Sequence, residues 1–298
     1  INKKNRIRRF GAADFILLFF LTLFGILILY PFYNAFLVSI VPNTVYLRYQ
    51  GLMLWPPEVT MEAYTFTFKS SLIWYGYKNS ILITFFGTIY NMILTVLFTL
   101  VGAYLLSRKD FVIRKGLTFI MVFTMYFSGG LIPSYLLIKD LKLMDTIASM
   151  ILPTGINIMY MLIISNYFKS LPPALEESAK IDGATDLRIL WSVILPLSLP
   201  LLATFTLYYA VERWNEWYLA MLYVKSVQKW PLQNVLRTII NDVNMMATQN
   251  IPGQAKPDIQ GDSIKMSSII VAMAPIMCLY PFLQRYFLSG LTLGAVKE

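Results

Sequence analysis

Apolar side chains dominate six stretches of the chain, at about 15–41, 79–106, 116–138, 146–168, 188–212 and 267–289. A helix needs about 20 apolar residues to cross roughly 30 Å of hydrocarbon, so each stretch predicts a membrane-spanning helix. Two of them are interrupted: Ser128, Gly129, Gly130 and Pro133 fall inside the third, and Pro153 and Gly155 inside the fourth. Polar residues gather in two long connections, 42–78 and 213–266, and the part at 241–265, rich in Asn, Gly and Pro, predicts an irregular loop. With neither a repeat nor a low-complexity tract, residues 1–298 predict one transmembrane domain.

A third polar stretch is short and charged. SLPPALEESAKIDGATD runs from Ser170 to Asp186 between two apolar runs. Ser170 is a candidate cap, Pro172 and Pro173 suit a first turn that needs no donor, and Glu176 and Glu177 suit the positive end of the helix dipole. Gly183 is a natural stop. The pattern predicts a helix of about three turns over 172–182, too short to span and marginal in water without a partner. Thr185 or Asp186 is placed to cap the next helix. Its residues alone leave two roles open: an amphipathic linker on the membrane surface, disfavoured by having Lys180 as its only base, and a docking helix for another protein.

Composition sharpens this picture. Charged residues make up 14% of the chain and hydrophobic ones 57%, where a soluble domain carries about a quarter charged. The net charge of +9 is clustered, with Lys3, Lys4, Arg6, Arg8 and Arg9 before the first span and Arg108, Lys109, Arg114 and Lys115 after the second. Bases flanking apolar runs set topology. They place the N-terminus, the 107–115 and 169–187 connections and the C-terminus in the cytoplasm, and the two long connections outside. A nucleic-acid binder would spread its bases along a soluble face, so no nucleic acid is expected. No small-residue cleavage site follows the first apolar run, which predicts an uncleaved span. Trp55, Trp74, Trp214, Trp217 and Trp230 fall in or beside the long connections, as interfacial tryptophans do.

Chemistry is sparse. There is no His, Cys278 is the one cysteine, and no P-loop pattern occurs, so no enzyme activity or metal site is expected, and energy must come from another chain. A channel would want a filter or a charged ring, for which Ser128–Gly130 is thin. A secondary transporter would want acids well inside the spans, and none is there.

Glu177, Ser178, Ala179, Asp182 and Gly183, followed by Val193, Ile194, Leu195 and Pro196, resemble the EAA motif of ABC-importer permeases. In that pattern Glu-Ala-Ala precedes a Gly by three residues, and Ile-x-Leu-Pro follows nine further on. The departures are Ser178 for Ala and Val193 for Ile. Trp214–Trp217 (WNEW) and the tail YPFLQRYFLSGLTLGAVKE at 280–298 resemble the maltose-type sugar permeases. The stretches at 127–146 and 250–254 are similar to the oligosaccharide and alginate branch. The resemblance implies a type I ABC importer permease fold in a bacterial inner membrane, for a sugar or oligosaccharide, with an acidic one such as alginate among the candidates. The alternative is a permease for a different solute class, for example a peptide or polyol, or a secondary transporter.

The resemblance also implies partners: a second homologous permease, two ATPase subunits that hold ATP and Mg, an extracytoplasmic solute-binding protein and membrane lipid. The short helix would then be the coupling helix. Glu177 would pair with a base on the ATPase, Ser178 and Ala179 would be its close-packing face, and Asp182 would brace the turn at Gly183. Leu195 and Pro196 would complete the motif, Pro196 and Pro200 would loosen the fifth span, and Gly294–Glu298 would reach the ATPases. Tyr33, Asn91, Asn157, Tyr160, Trp214, Asn215 and Trp217 are candidates for a sugar path, because neutral polar and aromatic groups at membrane depth face a cavity or another helix. Bridging helices is the commoner role for any single one of them.

Overall fold

A computed structural model describes residues 11–49, 52–108, 110–248 and 261–295, and among these all regular structure is helical. Helix α1 is Ala12–Ser39, α2 Asn43–Arg48 and α3 Glu62–Lys69. Helix α4, Ser71–Leu94, runs through one wide turn at Thr95–Thr99 into α5, Leu100–Ser107. Then come α6 Arg114–Tyr126, α7 Leu131–Asp140, α8 Ala148–Ile151, α9 Ile158–Ser170 and α10 Pro173–Ile181. They are followed by α11 Asp186–Ile189, α12 Leu195–Leu197, α13 Leu199–Trp214, α14 Tyr218–Tyr223, α15 Leu232–Thr248 and α16 Gly261–Ala295.

Among the described residues, three helical stretches are long and apolar enough to cross a membrane unaided: 14–39, 71–107 and 261–278. Three further pairs are so only when taken together across a bend. The bend is 94° between α6 and α7, 41° around 155–157, and 74° at Ser198 before α13. These breaks fall at the Ser128–Gly130 and Gly155 interruptions and beside Pro196 and Pro200.

Several boundaries differ from the sequence expectation. The second apolar helix starts at Ser71, eight residues before 79; Ile73 and Gly76 in this extension are buried, Gly76 against Leu232 and Val235 at the start of α15. The connection at 42–78 holds α2 and α3, and within the expected loop at 241–265 both 241–248 and 261–265 are helix. There α15 is amphipathic, and its Met and Ala residues are good helix formers that outweigh the local Asn residues. Residues 249–260, including the 250–254 stretch, lie outside the described residues, as do Lys3–Arg9 and Val296–Glu298.

The chain divides into two compact units. In the first, residues 11–70 with 239–272, Leu37, Val41 and Met53 form a small core. Hydroxyls stitch it: Ser39 with Tyr64 at 2.8 Å, Thr67 with Ser267 at 2.8 Å, and Ser263 Oγ donating to Val41 O at 2.7 Å. Helix α1 from Phe15 to Leu29 is almost wholly exposed apolar surface.

The second unit spans 71–238 and continues from Met273. Its main core joins α5, α9 and the α11–α13 segment through Leu100, Tyr104, Ile164, Phe168, Ile189, Leu190, Ile194, Leu202 and Phe205. A second core joins α4, α8 and α14 through Ile83, Met150, Ile151, Ala220 and Val224. Polar groups fix the register: Asn79 Nδ2 donates to the carbonyls of Gln228 and Trp230, and Ser80 Oγ accepts from Leu232 N–H.

Candidate functional site

Helix α10 is built by its ends. Pro172 is the N-cap and Pro173 the first helical residue, so the missing N–H of Pro173 falls where no intrahelical partner exists. Ser170, the expected cap, is instead the last residue of α9; its hydroxyl donates to Tyr167 O at 2.7 Å. At the other end Ala184 N–H donates to Ala179 O, and Gly183 N–H to Lys180 O, both at 3.0 Å. This crossed pair satisfies the last carbonyls and turns the chain through a left-handed residue, Gly183 at φ +77°. Thr185 caps the next helix by accepting from Arg188 N–H at 3.4 Å.

One face of α10 lies on the main core of its unit, through Ala179 and then Ala184 beyond the turn. Small residues let the backbone approach. The other face carries Glu177, Ser178 and Asp182, all exposed, and Ile181 with 86% of its surface open. Leu195 packs on the same core, while Pro196 is exposed at the bend before α13.

Beside α10 stands a residue that the sequence reading treated only as a topological charge. Arg108 caps α5, and its side chain is 11% exposed. Nε and Nη2 donate to the two Asp110 oxygens at 3.0 and 2.8 Å, and Nη1 donates to Asp186 Oδ1 at 2.8 Å and Tyr104 Oη at 3.1 Å. Glu176 Oε2 lies 3.7 Å away. The bonds from Arg108 hold the Asp110 carboxyl down at about 2, and the bonds to Asp110 first, then to Asp186 and Tyr104, raise the guanidinium further above its already high value. The acids stand at positions 110, 176 and 186, so sequence spacing offers almost no signal for the cluster.

A second feature is a cavity of about 760 Å³. Its walls come from Pro153–Met159, the end of α13 from Tyr209, and the turn from Asn215 to Tyr218. Of the seven path candidates, Asn157, Asn215 and Trp217 line it. Tyr160 serves the wall by donating to Glu212 Oε1 at 2.8 Å, within a ring cluster of Phe205, Tyr208 and Tyr209. Trp214 is buried beside Tyr77. Asn91 is fully buried, and its Nδ2 donates to the carbonyls of Thr154 and Gly155 where the chain breaks between α8 and α9. Tyr33 belongs to the other unit, where its hydroxyl donates to Leu54 O at 2.8 Å. Glu212, Arg213 and Glu216 also line the cavity. Arg213 is buried, donates to Met150 O at 2.9 Å and lies 3.6 Å from Glu216, so its charge is paired within the wall, while its Nε has no hydrogen-bond partner. Carboxylate, amide and aromatic groups line the cavity beside the aliphatic side chains of Met125, Ile156, Ile158, Met159 and Val211.

Residues 108–292 match a family profile described as binding-protein-dependent transport system inner membrane component. The chain is 39% identical over 285 residues to the polygalacturonan/rhamnogalacturonan transport system permease protein YtcP of Bacillus subtilis (strain 168), covering 95% of this chain and 98% of that one. It is 40% identical over 253 residues to Protein LplC of the same organism, covering 84% and 83%. Among solved structures it is similar to a bacterial ABC transporter involved in the import of the acidic polysaccharide alginate. That match has a TM-score of 0.75 at 31% identity and covers 93% of this chain and 99% of that one.

Proposed function

We propose, on the premise that this chain belongs to the family of binding-protein-dependent transport system inner membrane components, that it is the multi-pass inner-membrane permease of an ABC importer for oligosaccharides. Each bent helix pair counts as one broken span, which gives six crossings with both termini in the cytoplasm. Helix α10 is the coupling helix, and the observation that carries this is its two-sided build. Ala179 is seated on the core, while Glu177, Ser178 and Ile181 stand open on the far side. Two ATPase subunits supply ATP, Mg and the force, a second related permease completes the pathway, and a solute-binding protein delivers the sugar. Glu177 pairs with a base on the ATPase, Gly183 and Asp182 form the joint, and Leu195 and Pro196 pass the movement to the bend at Ser198.

The cavity is this chain's share of the sugar path. Asn157, Asn215, Glu212 and the Trp217 ring suit hydroxyls and sugar faces. Two of the similar proteins handle acidic polysaccharides, and uronate oligomers are the leading substrate class for this one. The carboxylates of such a substrate would then be met outside this wall, because Arg213 is already neutralised within it.

Reconstitution of the complete transporter in proteoliposomes tests this. Glu177→Lys should lower ATP-driven oligosaccharide uptake by about 100-fold, the scale of a charge pair turned into a repulsion, with membrane insertion unchanged. Normal uptake by that variant, or a purified complex that contains no ATPase subunit, would overturn the reading.

A further inference from the structure

A glycine turn is a poor transmitter of force. Gly183 sits at φ +77° with nothing within 4 Å of where a side chain would begin, so the joint between α10 and α11 is sterically open. If that joint were the only link, displacement of α10 would dissipate in backbone rotation. Beside the seating of Ala179 and Ala184 on the core and a Lys180–Asp186 contact at 4.0 Å, Arg108 supplies a further link. Its Nη1 donates to Asp186 just after the joint and stands 3.7 Å from Glu176 just before it. The guanidinium itself is anchored on α5 by Tyr104, whose ring also lies 5.6 Å beneath its carbon, and by Asp110. One planar fork thus touches both sides of the joint from a third element.

We propose that Arg108 is a positioning residue for coupling, tying α10 and α11 to the end of the second apolar helix so that α10 moves them together. This rests on the reading of α10 as the coupling helix. The two acids play unequal parts. Asp186 at 2.8 Å is the fixed anchor, and Glu176, beyond hydrogen-bond distance, is the contact that tightens or opens as α10 shifts. A fork does this fully and an ammonium only in part, since a point charge cannot address Tyr104 and the acids in fixed directions at once.

The test uses the complete transporter in proteoliposomes and reads sugar carried per ATP hydrolysed, a ratio that a merely structural staple does not change. Arg108→Gln should lower the ratio about tenfold, within the usual range of coupling between sites, while ATPase co-purification stays within about twofold of the parent. Arg108→Lys should recover part of the loss. Glu176→Gln should lower the ratio about threefold, and the double variant should fall no lower than Arg108→Gln alone, as expected for two groups acting through one contact. An unchanged ratio in Arg108→Gln overturns the role. So does loss of the ATPase subunit from that complex, which would mark Arg108 as a structural staple. A parent complex without ATP-dependent uptake overturns the permease reading and this role with it, whereas parent uptake with an indifferent Arg108 overturns this role alone.

Discussion

Gly183 carries a constraint that is entirely conformational. A Cβ at that position would meet nothing, yet φ is +77°, a region that costs an L-residue roughly 1–2 kcal/mol. Gly183→Ala should therefore fold, with the complex losing about 1 kcal/mol in thermal unfolding and part of its uptake. Gly183→Pro should lose uptake altogether, because it forbids that φ and deletes the N–H bonded to Lys180. Equal uptake by Gly183→Pro and the parent would show that the joint does not shape the coupling movement. The glycine was legible in the sequence because a helix stop has a local signature. Arg108 was not, because its significance lies in acids up to 78 residues away that converge only in the fold.

At the scale of elements, helices were legible and their breaks were half legible. Glycine and proline marked where α6, α8 and α12 end, but not the size of the bends. The turn before α8 was missed altogether. Asp145 adopts φ +59° there and ties the turn to the segment after α14. Its carboxylate accepts Lys225 and Ser226 N–H at 3.0 and 2.8 Å, Ser226 Oγ at 2.7 Å and Lys229 Nζ at 2.8 Å. The bond from Lys229, then those from Ser226, hold its pKa well below the ordinary 3.8. A depressed carboxylate stabilises the fold above its unfolded value, and the contribution disappears as pH falls through the folded value. Asp145→Asn keeps a residue tolerant of the left-handed turn and removes the charge. It should cost about 1 kcal/mol at neutral pH, a small figure because the pair is partly exposed. Thermal unfolding at neutral pH and below pH 3.8 checks the sign: the gap between variant and parent should narrow on acidification. A gap that widens would contradict the assignment.

Across the whole molecule, apolarity loses its power to tell inside from outside. Phe15 to Leu29 of α1 is as apolar as any stretch of the chain and is nearly all exposed, because hydrocarbon solvates a leucine as well as a protein core does. Burial is marked instead by small and neutral polar residues: Asn79, Ser80, Asn91, Thr95, Thr99, Ser165, Ser198 and Thr204 are all buried. Such groups are costly in hydrocarbon and so turn into protein; the Asn79 and Asn91 amides bond to carbonyls there, while the Thr99 and Ser165 hydroxyls are buried without a partner. Asn91 bonds in this way to Thr154 and Gly155, whereas Phe86, five residues before it on the same helix, is 55% exposed. The consequence inverts the rule for soluble proteins. Asn91→Leu, which raises apolarity, should destabilise the chain in detergent by about 1–3 kcal/mol, since two carbonyls lose their donor in a dry interior. Phe86→Ala, which deletes a whole ring, should change it by less than about 0.5 kcal/mol, as surface substitutions do. Thermal unfolding of the two variants side by side decides the matter. A larger loss from Phe86→Ala would mean that this face of α4 is packed in the isolated chain, and that buried polar groups do not mark its interior.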